Sequence, residues 1–183
     1  TALGKEELRV IDMKKTPYGI SKVVAVPGCS VGEDVVFSDD GKHWYLSCMG
    51  TQAMVVGDAR KDEPIKTVKV TAPYPHGIAI HNGIDRILLS STVRATDLGD
   101  AGEAISVVEA SSGKALGAIK VSNKPSPAGN APVEIVFVPG ARPPVAYVTN
   151  MYEGTLWTAT WNAGKKDFDV QQVHDFSAQG AGV

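Results

Sequence analysis

A β-propeller of four-stranded antiparallel blades is the fold this all-β sequence predicts, with about 3.5 blades present out of roughly six to eight in a closed ring. Three observations carry it. Four short β-rich runs recur in the same order three times along the chain. Glycine (19 residues) and proline (11) are spread over the whole length, the punctuation of many short strands rather than of long helices. Turn-forming residues, Asp39-Asp40-Gly41-Lys42 and Asn82-Gly83, stand where a first run must fold back into a second, because Asp, Asn and Gly accept positive φ in tight hairpins.

The chain opens with half a unit, in which 8–12 matches a third strand and 23–26 a fourth. The first full unit holds 34–38, 43–47, 53–58 and 65–70. The second holds 77–80, 86–90, 104–109 and 118–121, and the third 133–137, 145–149, 156–161 and 169–175. Equivalent first strands start 43 residues apart (Asp34 to Gly77) and then 56 apart (Gly77 to Val133). The first spacing is a blade's length and the second a blade carrying insertions. The chain is therefore expected to divide into an outer half-blade at 1–30, blades at 31–71, 72–122 and 123–177, and the lead into a further blade at 178–183. On that reading it is part of a longer protein whose further blades are its neighbours. An antiparallel sandwich also shows short strands and turns, but gives no reason for one four-run order to recur. A helix over 102–110 is the local rival, and its apolar residues do not continue at helical spacing.

Composition narrows the function classes. With 183 residues, 43% apolar and 21% charged, the chain has the makings of a globular core. Its 18 basic and 20 acidic residues leave no basic excess to neutralise a phosphate backbone, so nucleic acid is not an expected partner. No apolar run approaches the roughly 18 residues of a membrane span. The sequence contains no G-x-S-x-G, H-E-x-x-H, G-x-x-x-x-G-K-[ST] or G-x-G-x-x-G, and its two cysteines form no C-x-x-C pair.

Ala146-Tyr147-Val148-Thr149-Asn150 contains the Tyr-Val-Thr-Asn signature of the YVTN-repeat β-propellers, which the chain resembles over nearly its whole length. Pro75-His76-Gly77-Ile78-Ala79-Ile80 and Phe37-Ser38-Asp39-Asp40-Gly41-Lys42 are similar to the blade-opening motif of that family. A narrower resemblance joins Pro75-His76-Gly77-Ile78 with Ala131-Pro132-Val133-Glu134-Ile135 and Thr155-Leu156-Trp157. These short motifs are similar to the selenium-binding protein family, whose bacterial members include methanethiol oxidases.

In a propeller the first strand of each blade lines the central channel, and the segments leading into it share one face with the loops joining strands two and three. That placement puts Cys29, Glu33, Cys48, His76, Arg94, Glu134 and Asn150 on or near one rim. Loop length marks the same face. The connection at 91–103 is far longer than that at 49–52, and 122–132 is also expanded, whereas the opposite face has tight turns apart from a polar crossing at 60–64. Long loops on a rigid scaffold are the usual carriers of binding, although surface insertions also cost little.

His76, just before a channel-lining strand, suits a metal ligand or an acid–base group, and Pro-His-Gly also serves as a structural turn. A metal needs three or four protein ligands, and His43 and His81 in opposite-face hairpins and His174 in an outer strand supply none of them. Cys29 and Cys48 either form a disulfide, the preferred reading, or remain two small buried thiols. Asp97, Asp100 and Glu103 lack the alternating oxygens of a calcium loop and read as solvated acids, with Arg94 offering its planar fork to them or to an anion. Trp157 and Trp161 alternate with Thr158 and Thr160 and are expected to fill one face of a blade.

The expected function is thus a YVTN-type propeller presenting a ligand- or partner-binding face, with Glu33, His76, Arg94, Glu134 and Asn150 as contacts and a protein or small molecule as partner. The alternative, implied by the methanethiol oxidase resemblance, is a periplasmic oxidoreductase holding copper or another redox cofactor at the channel, with His76 as a metal ligand. A third option is a structural subunit of a larger complex. A periplasmic or secreted location is expected from the family resemblance and from a first residue, Thr1, that is not methionine.

Overall fold

The computed structural model describes residues 5–93, 101–123 and 130–176. Among these residues there are fourteen strands, two single 3-10 turns at Met49–Thr51 and Asn82–Ile84, and no α-helix. The strands form four antiparallel sheets in chain order. A two-stranded sheet pairs β1 (Glu7–Asp12) with β2 (Gly19–Ala25). The first blade runs β3 (Gly32–Phe37), β4 (His43–Cys48), β5 (Ala53–Asp58) and β6 (Glu63–Lys69). The second runs β7 (Pro75–His81), β8 (Arg86–Ser91), β9 (Ala104–Glu109) and β10 (Ala115–Lys120). The third runs β11 (Pro132–Phe137), β12 (Val145–Asn150), β13 (Thr155–Asn162) and β14 (Asp167–Asp175). This is a β-propeller arc of about 3.5 blades.

Burial along each strand follows its place between blades. In β8, sandwiched between two neighbouring blades, five consecutive residues from Ile87 to Ser91 are buried. In β12 burial alternates, because only one of its faces meets another described blade. The core is accordingly a set of layers between blades. Val24, Val26, Trp44, Leu46 and Val55 seat the half-blade on the first blade. Tyr45, Met54, Val56, Ile78, Ile87, Leu89 and Val108 join the first blade to the second. Leu88, Ile105, Val107, Val148, Trp157, Ala159 and Phe168 join the second to the third, with Trp161 packed at their edge. Trp44 lies flat across Gly57, where an added Cβ would come within 1.9 Å of its ring.

The inner strands share a device. Each opens on a non-glycine residue in the left-handed region: Val31 (φ 52°), Tyr74 (φ 52°) and Ala131 (φ 53°). The carbonyl of each accepts a hydrogen bond from the start of the loop after the second strand, from Met49, Thr92 and Met151 respectively. Each inner strand then bulges by one residue, between Gly32 and Val35, Pro75 and Ile78, and Pro132 and Ile135. These registers make Glu134, rather than Val133, the counterpart of Asp34 and Gly77. A hydroxyl on the second strand holds each bulge: Ser47 Oγ accepts from Asp34 N (3.0 Å), Ser90 Oγ from Gly77 N (2.8 Å) and Thr149 Oγ1 from Glu134 N (3.1 Å). Ser47 and Ser90 also donate across to the next blade, to the carbonyls of His76 and Val133.

Two turns differ from expectation. At 82–85 the chain makes a 3-10 turn in which Asp85 (φ 57°), not Gly83, takes the left-handed position. The stretch 60–64 is no wide crossing: Glu63 and Pro64 already belong to β6, leaving a four-residue turn at 59–62 held by Asp58.

Candidate functional site

The bulges decide where the inner strands point their polar residues. With one residue left out of the ladder on each strand, Glu33 and Asp34 on β3, His76 on β7 and Glu134 on β11 gather at one end of the inner strands. His76 Nε2 stands 3.8 Å from Glu33 Oε2, both side chains being half-buried. One donor atom each from Asp34, His76 and Glu134 lies within 4.8 Å of the other two. His76 Nδ1 is buried and has no hydrogen-bond partner among the described residues. Gly77 makes this convergence sterically possible, since a Cβ there would sit 2.4 Å from the carbonyl oxygen of Val133 on the next blade.

The same end carries the long connections. Residues 92–103 join β8 to β9 and residues 121–131 join β10 to β11, against four-residue links at 49–52 and 151–154 in the other two blades. The two are tied to each other, because Gly102 O accepts from both Asn130 N and Ala131 N at 3.0 Å. The Cys29–Cys48 disulfide, with Cα atoms 5.1 Å apart, pins the segment leading into β3 to the end of β4 at this end too.

Three of the residues singled out from the sequence, Glu33, His76 and Glu134, therefore stand together. Arg94, with Asp97 and Asp100, lies outside the described residues. Glu103 is paired with Lys120 at 2.8 Å. Asn150 ends β12 opposite Pro132 at this same end, but its side chain is turned into the structure. It is only 3% exposed, and its Nδ2 donates to Val121 O of the second blade, to Glu153 Oε2 (3.2 Å) and to Thr155 Oγ1 (3.3 Å). The Tyr-Val-Thr-Asn asparagine thus cross-links blades in a buried polar knot that also takes in Trp157 Nε1. His43 and His81 border the opposite-end turns, with His81 edge-on to Phe137, and His174 stacks near Phe176 on the outer strand.

The sequence reading missed Asp34 and the buried Glu153. Asp34 had a signal: it occupies the same bulge position as Glu134 once the third repeat is shifted by one residue. Glu153 had none, being an acidic residue in a short loop whose burial depends on the neighbouring blade.

No family model matches this sequence, and no curated protein matches it. Solved structures do. The chain is similar to hydrazine synthase of Kuenenia stuttgartiensis, with a TM-score of 0.68 at 16% identity over 92% of this chain and 44% of that one. It is similar to dihydro-heme d1 dehydrogenase NirN in complex with DHE, with a TM-score of 0.67 at 12% identity over 94% of this chain and 34% of that one. The WD40 repeats of RRP9 give a TM-score of 0.64 at 11% identity over 91% and 45% of the two chains. At these identities the likeness establishes the class of protein, a β-propeller. The chain spans less than half the length of each of these structures.

Proposed function

We propose that this propeller binds its ligand at the loop-bearing end of the inner strands, with Glu33, Asp34, His76 and Glu134 as contacts together with Arg94. One observation supports it most: the repeated bulge gathers four ionisable side chains from three blades at the end where the chain also carries its long connections. Bulges re-aim side chains next to functional sites, and a bulge needed only for closing the blade would not require ionisable residues there. Three carboxylates around one imidazole suit a cationic ligand. On its motifs the repeat is of the YVTN type, and the disulfide favours a periplasmic or secreted setting.

Spermidine serves as the probe. Titrated into the protein and followed by amide chemical shifts, it should perturb residues 33–35, 76–78 and 133–135 most, and Glu33→Gln with Glu134→Gln should weaken the effect severalfold. A response centred on the opposite-end hairpins, or one unchanged by the substitutions, would overturn the reading.

A second reading, a periplasmic oxidoreductase holding copper or another redox cofactor, draws on the two neighbours whose names are those of redox enzymes. The described residues fit copper poorly: His76 is the only imidazole at this end among them. Stoichiometric copper in the native protein would replace the first reading by this one.

A further inference from the structure

We infer that Asp34, His76 and Glu134 bind one divalent first-row transition cation, an inference that rests on the ligand-binding reading of this face and names its ligand. Three observations point to it. The donors come from three separate blades, yet one atom of each falls within 4.8 Å of the others. Their backbones are held by hydroxyls of the second strands: Asp34 and Glu134 through their amides, His76 through its carbonyl. And the imidazole carries a buried nitrogen that no described group satisfies.

The donor chemistry selects the ion. Metal–ligand bonds of about 2.1 Å put adjacent donors roughly 3–3.4 Å apart, so the cluster must contract by at most about 1.5 Å. Glu134 is exposed and its side chain can turn inward to close that gap. Calcium and magnesium prefer all-oxygen shells, and copper(I) prefers sulfur; a nitrogen with two carboxylate oxygens suits manganese(II), iron(II) or zinc(II). Glu33, 3.8 Å from the imidazole, is placed to orient the ring as an outer carboxylate. Three protein ligands leave coordination positions open, the arrangement of sites that take water or an anionic group as a further ligand.

Manganese(II) tests this directly, because it broadens the amide signals of nearby residues. Substoichiometric Mn²⁺ should erase the signals of 33–35, 76–78 and 133–135 first. Asp34→Asn, His76→Gln and Glu134→Gln should each weaken binding at least tenfold while leaving the rest of the amide spectrum in place, and Glu63→Gln on an outer strand should not. Zinc should displace manganese where equal calcium does not. Broadening centred elsewhere, indifference to all three substitutions, or displacement by calcium as readily as by zinc would overturn the site. Spermidine acting at these amides without any manganese effect would remove the cation site alone and leave the binding face standing. Failure of both probes would remove both.

Discussion

At the hairpin end of the blades the carboxylates and amides close turns, whereas at the loop-bearing end the same residue types face one another across the inner strands. Asp58 Oδ1 accepts from Arg60 N (2.8 Å) and Lys61 N (3.0 Å), Asp85 holds both the amide and the hydroxyl of Ser111 (2.7 Å each), and Asn162 Oδ1 caps Gly164 and Lys165. Asp40 lies well below the usual carboxylate range, mainly through its hydrogen bond with Lys42 and then that with Ser38. Asp58 is lowered by its two backbone bonds, and Asp169 by Lys165 and Asn162. At the other end, no hydrogen bond reaches the side-chain carboxylates of Asp34 or Glu134 among the described residues, and these two residues are held instead through their backbone amides by the hydroxyls of Ser47 and Thr149, with the Cys29–Cys48 disulfide at the same end. An acidic residue that caps a turn has its chemistry committed to the fold. One held in place through its backbone keeps its side chain for a ligand.

The largest expected effect comes from removing the cross-link at the loop-bearing end. Closing a loop of 19 residues, the Cys29–Cys48 bond should contribute about 3 kcal/mol, so the double substitution to alanine should lower stability by that amount in urea denaturation. A loss below about 1 kcal/mol would show that this end holds without it.

A pair of glycine substitutions sharpens the contrast. Gly77→Ala forces a methyl against the Val133 carbonyl and should cost about 1–3 kcal/mol, with a severalfold loss of manganese and spermidine binding as β11 is pushed away. Gly41→Ala at the hairpin end meets no atom but sits at φ 64°, and should cost about 1–2 kcal/mol with binding untouched. Equal effects on binding would break the distinction between the two ends.

The smallest effect is in the acid limb. Carboxylates whose folded pKa is depressed contribute stability that is present above their ordinary value of 3.8 and is lost as the pH falls through the lowered value. Stability should therefore hold from neutral pH down to the ordinary carboxylate range and decline only below it. Asp58→Asn should make that decline shallower when urea midpoints are compared across pH. A change of slope at neutral pH instead would contradict the assignment.

Much of the strand layout was legible because a half-buried or blade-sandwiched strand must be apolar at the spacing the pleat sets, and its turns must carry Asp, Asn or Gly. Hence β3 to β5 and β7 to β9 fall within two residues of their expected bounds. The site was legible only in part. His76 and Glu134 were marked by their place at the start of an inner strand, but Asp34 could not be assigned while the third repeat was read one residue out of phase. The bulge that sets the phase has no side-chain signature on its own strand: Val31, Tyr74 and Ala131 share the left-handed conformation without sharing a residue type, and the hydroxyls of Ser47, Ser90 and Thr149 that hold it lie on the next strand. The burial of Asn150 was illegible for a related reason. The repeat placed it correctly at the end of β12, but whether its side chain faces a ligand or the neighbouring blade depends on how blades pack.

Amino-acid order alone thus determined the class of secondary structure, the number and order of strands and the end of each blade at which long connections occur, since these follow from local apolar periodicity, turn chemistry and loop length. Only the tertiary structure decided which residues meet. Glu33 and Asp34 lie more than forty residues from His76, which in turn lies more than fifty from Glu134. Their meeting depends on the twist between blades, on a one-residue bulge in each inner strand and on Gly77 letting two strands approach, none of which local sequence preferences encode.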